Sequence, residues 1–175
     1  MKSKDELIQL LRNGFIEEFN EFRNSESLDF TEIDLSGCDI PEANLGGSDL
    51  SGSDFSECDL SNADFRNSDL SSAIFTRASL KQTNFSNTTL AGTKFGNSDI
   101  LNCDFSEADM TGADFSETNL SKADLSLAVN LNQCIFDSYT SWPDSDNLPD
   151  DFDPEYIEDL SSLRDDDDLD SEYGY

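Results

Sequence analysis

The chain has 175 residues, with 39 Asp and Glu against 10 Lys and Arg, no histidine, and a formal net charge of −29. That balance excludes a direct grip on nucleic acid or an anionic membrane, because phosphate contacts need clustered Lys and Arg. It removes the imidazole that most acid–base and triad chemistry uses, and the 4 cysteines show no Cys/His spacing that would hold zinc. No catalytic, cofactor-binding or metal-binding residue is therefore expected.

Residues 3–24 read as two helices. Ser3 followed by Glu6 is a capping box, and Leu7, Leu10 and Leu11 form an apolar stripe. Asn13-Gly14 interrupts the pattern, and Phe15, Phe19 and Phe22 at i, i+4 and i+7 form a second stripe. The segment 1–27 is expected to be a helical cap, covering the open edge and apolar core of the region that begins at Leu28.

That region is a five-residue repeat. Every position divisible by five from Phe30 to Leu125 is apolar, and from Cys38 to Ala123 the residue two places earlier is always Ala, Ser, Thr or Cys. The residue just before the apolar one is usually Asp or Asn, and Ser is the commonest just after it. Five residues turn an α-helix by about 500°, so these positions make no helical stripe. On a flat strand an odd period would alternate faces. The pattern closes if each unit is one short extended side followed by a turn. The small and large residues then point inward and the polar ones outward, and the chain winds into a solenoid over 28–142.

Units such as Ala63-Asp64-Phe65-Arg66-Asn67, Ala108-Asp109-Met110-Thr111-Gly112 and Ala113-Asp114-Phe115-Ser116-Glu117 resemble the pentapeptide repeat family over about 110 of 175 residues. The resemblance implies an all-β solenoid, a right-handed quadrilateral β-helix with four pentapeptides per coil. The stretch from Leu10 to Arg23 is similar to the helical leader of many bacterial members, with Phe where Trp is frequent. With twenty residues per coil, Phe55, Phe75, Phe95 and Phe115 form one stack and Phe65, Phe85 and Phe105 the opposite one. Cys38 and Cys58 stack in adjacent coils, but parallel side chains about 4.8 Å apart suit a disulfide poorly. All four cysteines read as buried free thiols in a reducing compartment. With no signal peptide or apolar run of spanning length, the cytoplasm is the expected location.

Charge is uneven along the repeat. Residues 28–65 carry −10 with no Lys or Arg, whereas 66–98 carry +3. In this belt Ile74 and Lys94 replace outward Asp, and Ile74, Arg77, Lys81 and Lys94 are the candidate partner contact. Elsewhere the Asp columns read mainly as a solubilising coat.

After Leu125 the register slips by one residue, with Val129 and Cys134 at the small position and Leu131 and Phe136 at the large one. Tyr139 and Trp142 are expected over the open end, and Pro143 closes the solenoid. In the acidic tail, 143–175, Asp153-Pro154 starts a short helix over 154–163. Its apolar face, Tyr156, Ile157, Leu160 and Leu163, is a candidate dimer or cap contact. The run Asp144–Glu155 is no calcium loop, since Leu148 stands at a ligand position and Pro149 where Gly is needed.

These features point to a non-catalytic interaction or scaffold protein, a rigid acidic rod for a protein partner, monomeric or a C-terminally mediated homodimer. The alternative, implied by the resemblance, is DNA mimicry toward a type II topoisomerase such as gyrase, with quinolone or toxin protection. A rod of about 26 Å carries about as many charges as duplex DNA of that length, since 28–142 sums to −14. Charge spread around four faces and the basic belt count against it.

Overall fold

The computed structural model describes residues 2–23 and 28–154. Helix α1, Lys4–Arg12, opens on the expected capping box, with Glu6 N donating to Ser3 Oγ at 3.3 Å and Ser3 N to Glu6 Oε2 at 2.7 Å. It buries Leu7, Leu10 and Leu11 and ends at Asn13, where Gly14 turns the chain with φ 70°. Helix α2, Ile16–Phe22, buries only Phe19, whose ring centre is 6.4 Å from that of Phe30. Phe15 and Phe22, expected in the same stripe, are exposed. Phe15 is the N-cap, a position outside the helix that would have turned it inward, and Phe22 carries Lys2 Nζ 4.5 Å above its ring.

From Asp29 onward the chain forms single parallel bridges between residues twenty apart, Asp29 with Asp49, Asp34 with Asp54, Asp39 with Asp59 and Asn44 with Asp64. Four pentapeptides thus complete one coil. Each side contributes one bridged pair and then turns, so no side lengthens into a conventional strand.

One unit, Ser53 to Glu57, shows why the pattern has these residues. Ser53 N donates to Leu50 O at 3.1 Å, closing the turn, and Asp54 N donates to Ile33 O in the preceding coil at 2.9 Å. Phe55 N and Glu57 N donate to Ile74 O and Thr76 O in the following coil at 2.8 and 3.0 Å. The remaining amide, Ser56 N, donates to the Asp54 carboxylate at 2.8 Å. All five amides are satisfied, four by backbone and one by the Asp. Glu57 has φ 61°, the left-handed value that a type II turn needs, and every corner from Glu32 to Glu117 repeats it.

The small inward position is equally determined. Ser53 Oγ donates to Phe30 O, 2.9 Å away in the preceding coil, and Cys58, Ser68, Thr83, Thr93 and Cys103 make the same bond. Ala, or a short side chain whose donor can reach that carbonyl, fits beside the large residue, although Ser48 Oγ and Ser98 Oγ are buried without a partner.

Inside, the phenylalanines stack as their spacing predicts. Phe55, Phe75, Phe95 and Phe115 lie with centroids 5.0, 5.3 and 4.8 Å apart and planes within 6°. Phe65, Phe85 and Phe105 form the second stack at 5.3 and 5.1 Å. The two stacks meet edge to face, at 82° between Phe55 and Phe65 and 90° between Phe95 and Phe105. Both arrangements suit the ring quadrupole, and together they fill the section.

The helices end the ladder with side chains. Arg12 Nη2 donates to Asp34 O at 2.8 Å. Asn20 imitates a peptide unit, donating to Glu42 O at 2.9 Å and accepting from Asn44 N at 2.9 Å. Arg23 donates to the carbonyls of Asn44 and Gly46.

The last coil departs from the sequence reading. Val129 points outward and bridges Asp109, while Ala128 holds the small position. The slip follows Val129, where Asn130 is left-handed and Leu131–Gln133 forms a 3-10 turn. Further residues enter beyond it, because the bridges become Asp114 to Ile135 and Asn119 to Ser141. Trp142 thereby takes the large position, 4.5 Å from Phe136 between ring centres, and Tyr139 is 76% exposed rather than covering the end. The ladder runs past Pro143, since Leu125 N donates to Asn147 O at 2.9 Å and Leu148 is buried. Phe152 closes against Trp142 at 5.3 Å.

One seam interrupts the ladder. Asp99 and Asn119 form no bridge, although Ser79 with Asp99 and Asn119 with Ser141 do. The amides of Asn97, Ile100, Asn102 and Asn119 make none of the bonds that their counterparts make, and buried Ser98 Oγ has no partner beside them.

Candidate interaction surface

The outward residues of the bridges form four columns. One runs Asp29, Asp49, Asp69, Thr89, Asp109, and the next Asp34, Asp54, Ile74, Lys94, Asp114. Most of these carboxylates are more than a soluble coat. Asp29, Asp34, Asp49, Asp59 and Asp109 each accept both the amide and the hydroxyl of the Thr or Ser two residues on, and Asn84 does the same for Ser86. The Ser36 and Ser61 side chains hold the Asp34 and Asp59 carboxyls below the ordinary carboxylate range, as the Thr31 amide does for Asp29. For Asp109 the largest cause is the Asn130 side chain, 2.9 Å away.

The four residues of the predicted patch are not all brought together. Ile74 and Lys94 bridge each other in one column, with Ile74 half-buried and Lys94 exposed. Arg77 sits at the next corner and pairs with Glu57. Lys81 lies one corner further and pairs with Asp99 at 3.3 Å. Of the three cations, Lys94 alone has no ion-pair partner among the described residues. Tyr156, Ile157, Leu160 and Leu163 lie outside the described residues.

Composition did not reveal that the turn after each replaced Asp loses its acceptor. Thr76 N and Gly96 N, two residues after Ile74 and Lys94, receive no side-chain bond, whereas Ser56 N and Ser116 N in the same column do. A non-Asp, non-Asn residue at the bridge position is the sequence signal for this.

All four cysteines are free. Cys58 and Cys103 are buried, while Cys38 and Cys134 are half-buried, less enclosed than expected because they stand at the two ends of the coil. Burial pushes the Cys58 and Cys134 thiols up to about 12, so neither is a thiolate at neutral pH. No group of three or more His, Cys, Asp or Glu side chains among the described residues is arranged to hold a metal ion. No helix among them is long and apolar enough to cross a membrane.

No curated protein sequence matches the chain. Among solved structures, Rfr23, a pentapeptide repeat protein from the cyanobacterium Cyanothece 51142, is 18% identical with a TM-score of 0.40, covering 66% of this chain and 85% of its own. HetL, a pentapeptide repeat protein involved in heterocyst differentiation regulation in Nostoc sp. strain PCC 7120, is 22% identical with a TM-score of 0.38, covering 81% of each chain. Full-length QnrB1, a plasmid-mediated fluoroquinolone resistance protein, is 21% identical with a TM-score of 0.32, covering 78% of this chain and 84% of its own. Residues 29–67, 53–91, 63–100, 90–126 and 102–137 match the family described as pentapeptide repeats, in 8 copies. With that profile matching from 29 to 137, the chain belongs to the pentapeptide repeat family.

Proposed function

We infer that the protein is a non-catalytic scaffold whose column through Ile74 and Lys94, with Arg77 beside it, meets a protein partner. The observation carrying this reading is that one column gives up its Asp acceptor in two successive coils, at Ile74 and Lys94, whereas Ser79 and Thr89 do so singly in other columns. An uncapped turn of this kind costs roughly 1 kcal/mol, and a half-buried outward Ile adds nothing to the core. Side chains retained at a cost to the fold are candidates for binding. In the same reading the coil is right-handed, the two helices are its N-terminal cap, and the four free thiols support a cytoplasmic location.

The test is proximity capture in the source cell with the wild-type chain and with Ile74→Asp/Lys94→Asp. The variant is expected to keep its fold and lose the captured partner. An unchanged partner profile refutes the patch. The apolar set Tyr156, Ile157, Leu160 and Leu163 is assigned to a C-terminal homodimer or end cap. Light scattering with and without 155–175 tests it, a mass that falls to about one chain supporting the dimer and an unchanged number of chains with a lowered melting temperature the cap.

A second reading is DNA mimicry toward a type II topoisomerase, favoured by the regular Asp spacing along the column through Asp29, Asp49 and Asp69. Inhibition of gyrase supercoiling by micromolar protein supports it, and no effect at that concentration removes it.

A further inference from the structure

An open hollow lies away from that column, between the junction of α1 and α2 and the first coil. It is an open groove of about 800 Å³, whose lining includes Phe15, Ile16 and Pro41 with Glu17, Asp39 and Glu42. Phe15 is 55% exposed, yet its backbone is held, since its amide donates to Leu10 O at 2.9 Å and its carbonyl accepts from Phe19 N at 2.9 Å. Gly14 beside it has no Cβ to separate the junction from the coil, and one built there would stand 3.4 Å from Asp39 O. The backbone that carries the exposed ring is therefore fixed before any partner arrives, which lowers the ordering cost of binding.

Charge selects the occupant. Glu17, Asp39 and Glu42 make no ion pair among the described residues. The lining cation, Arg12, is committed to Asp34 O at 2.8 Å. The lining thus sets apolar Phe15, Ile16 and Pro41 beside carboxylates that outnumber its cation. A second copy of this chain, at −29, and its own acidic tail are both repelled. An anionic lipid surface or nucleic acid is repelled for the same reason. A small polycation meets the carboxylates but leaves Phe15, Ile16 and Pro41 in water.

We propose that this groove docks a basic amphipathic peptide segment of a partner protein, an apolar side chain lying between Phe15 and Pro41 and flanking Lys or Arg meeting Glu17, Asp39 and Glu42. The proposal rests on the scaffold reading and gives that scaffold a second contact surface with a partner of defined chemistry.

The test is fluorescence anisotropy of the full chain with a labelled synthetic peptide of about 12 residues, Leu on one helical face and Lys on the other, at about 150 mM salt to screen long-range attraction. Binding is expected to weaken about tenfold with Phe15→Ala and with Glu17→Lys/Glu42→Lys. Asp114→Lys/Asp124→Lys, the same charge change at the far end, is expected to leave it within about twofold. Circular dichroism verifies that each variant is folded. A peptide with Ser in place of Leu that binds as well as the original overturns the proposal, as does an equal loss from the far-end variant, since either shows attraction to the rod as a whole. Absence of binding overturns it too. The wider reading fails separately, when Ile74→Asp/Lys94→Asp leaves the captured partners unchanged whatever the peptide does.

Discussion

Asp59 separates two roles that an Asp column can have, charge and turn geometry. Its carboxylate accepts Ser61 N at 2.9 Å and Ser61 Oγ at 2.6 Å. In Asp59→Ala both bonds are lost and water replaces them at an exposed site, so the cost is about 1 kcal/mol rather than the larger penalty of a buried orphan. In Asp59→Asn the acceptor oxygen stays, as Asn119 demonstrates with Ser121 N at 3.0 Å. The neutral amide is a weaker acceptor and loses the attraction of Lys81, but it removes repulsion from Asp39, its bridge partner, which at about 5 Å in water amounts to about 0.8 kcal/mol. These changes offset, and Asp59→Asn is expected within about 0.5 kcal/mol of wild type. Calorimetric melting of the three proteins is the assay, with Ala expected about 4 °C below wild type and Asn close to it. If Asn falls as far as Ala, charge and not acceptor geometry maintains the turn, and the account of the Asp column is wrong.

Gly46→Ala is expected to destabilise by about 1–3 kcal/mol in urea unfolding, because its Cβ would stand 2.9 Å from the backbone oxygen of Arg66, which cannot move without opening the ladder. Hydrogen exchange is expected to be faster at Asn97, Ile100, Asn102 and Asn119, the amides along the seam, than at their bonded counterparts one coil earlier, Arg77, Leu80, Gln82 and Asp99; equal protection would refute the seam. Acid is expected to unfold the rod. The Asp34 and Asp59 carboxyls sit below their ordinary 3.8, so their stabilisation is complete above that value and is lost as pH falls through the lower folded pKa. A melting temperature flat from about pH 7 to 5 and falling below about 4 agrees with this sign, and a rise on acidification contradicts it.

The coil was legible because the five-residue period has one geometric solution, and the Phe stacks came with it. Other features depended on geometry that periodicity does not carry. The role of Asp29 or Asp49 needs the left-handed corner after it; the readable signal is Asp or Asn two places before Ser or Thr. Phe15 was misplaced because Asn13-Gly14 shifts the phase of the second helix, leaving Phe15 at its cap. Val129 was misplaced because the slip inferred just after Leu125 begins only after Val129, at the left-handed Asn130. Arg77 and Lys81 look adjacent to Ile74 in the sequence, but four residues along this chain carry it around a corner.

Most of the acidity of the coil now has a cause inside the fold, which changes what counts as evidence for a functional surface. An Asp that closes its own turn would be present in any soluble coil of this kind, so −14 over residues 28–142 is weak support for mimicry of DNA. Departures from the pattern carry more information. Ile74→Asp restores an acceptor for Thr76 N, and its column neighbours, Asp54 and Lys94, repel and attract it about equally. Stability is therefore expected to rise by about 0.5–1 kcal/mol. Thermal melting of Ile74→Asp is the measurement. A protein that becomes more stable while losing its captured partner would show that the fold gives up stability at Ile74 for recognition. A destabilised one would show that Ile74 packs against the wall of the coil as a structural residue, and the binding surface would have to be sought elsewhere.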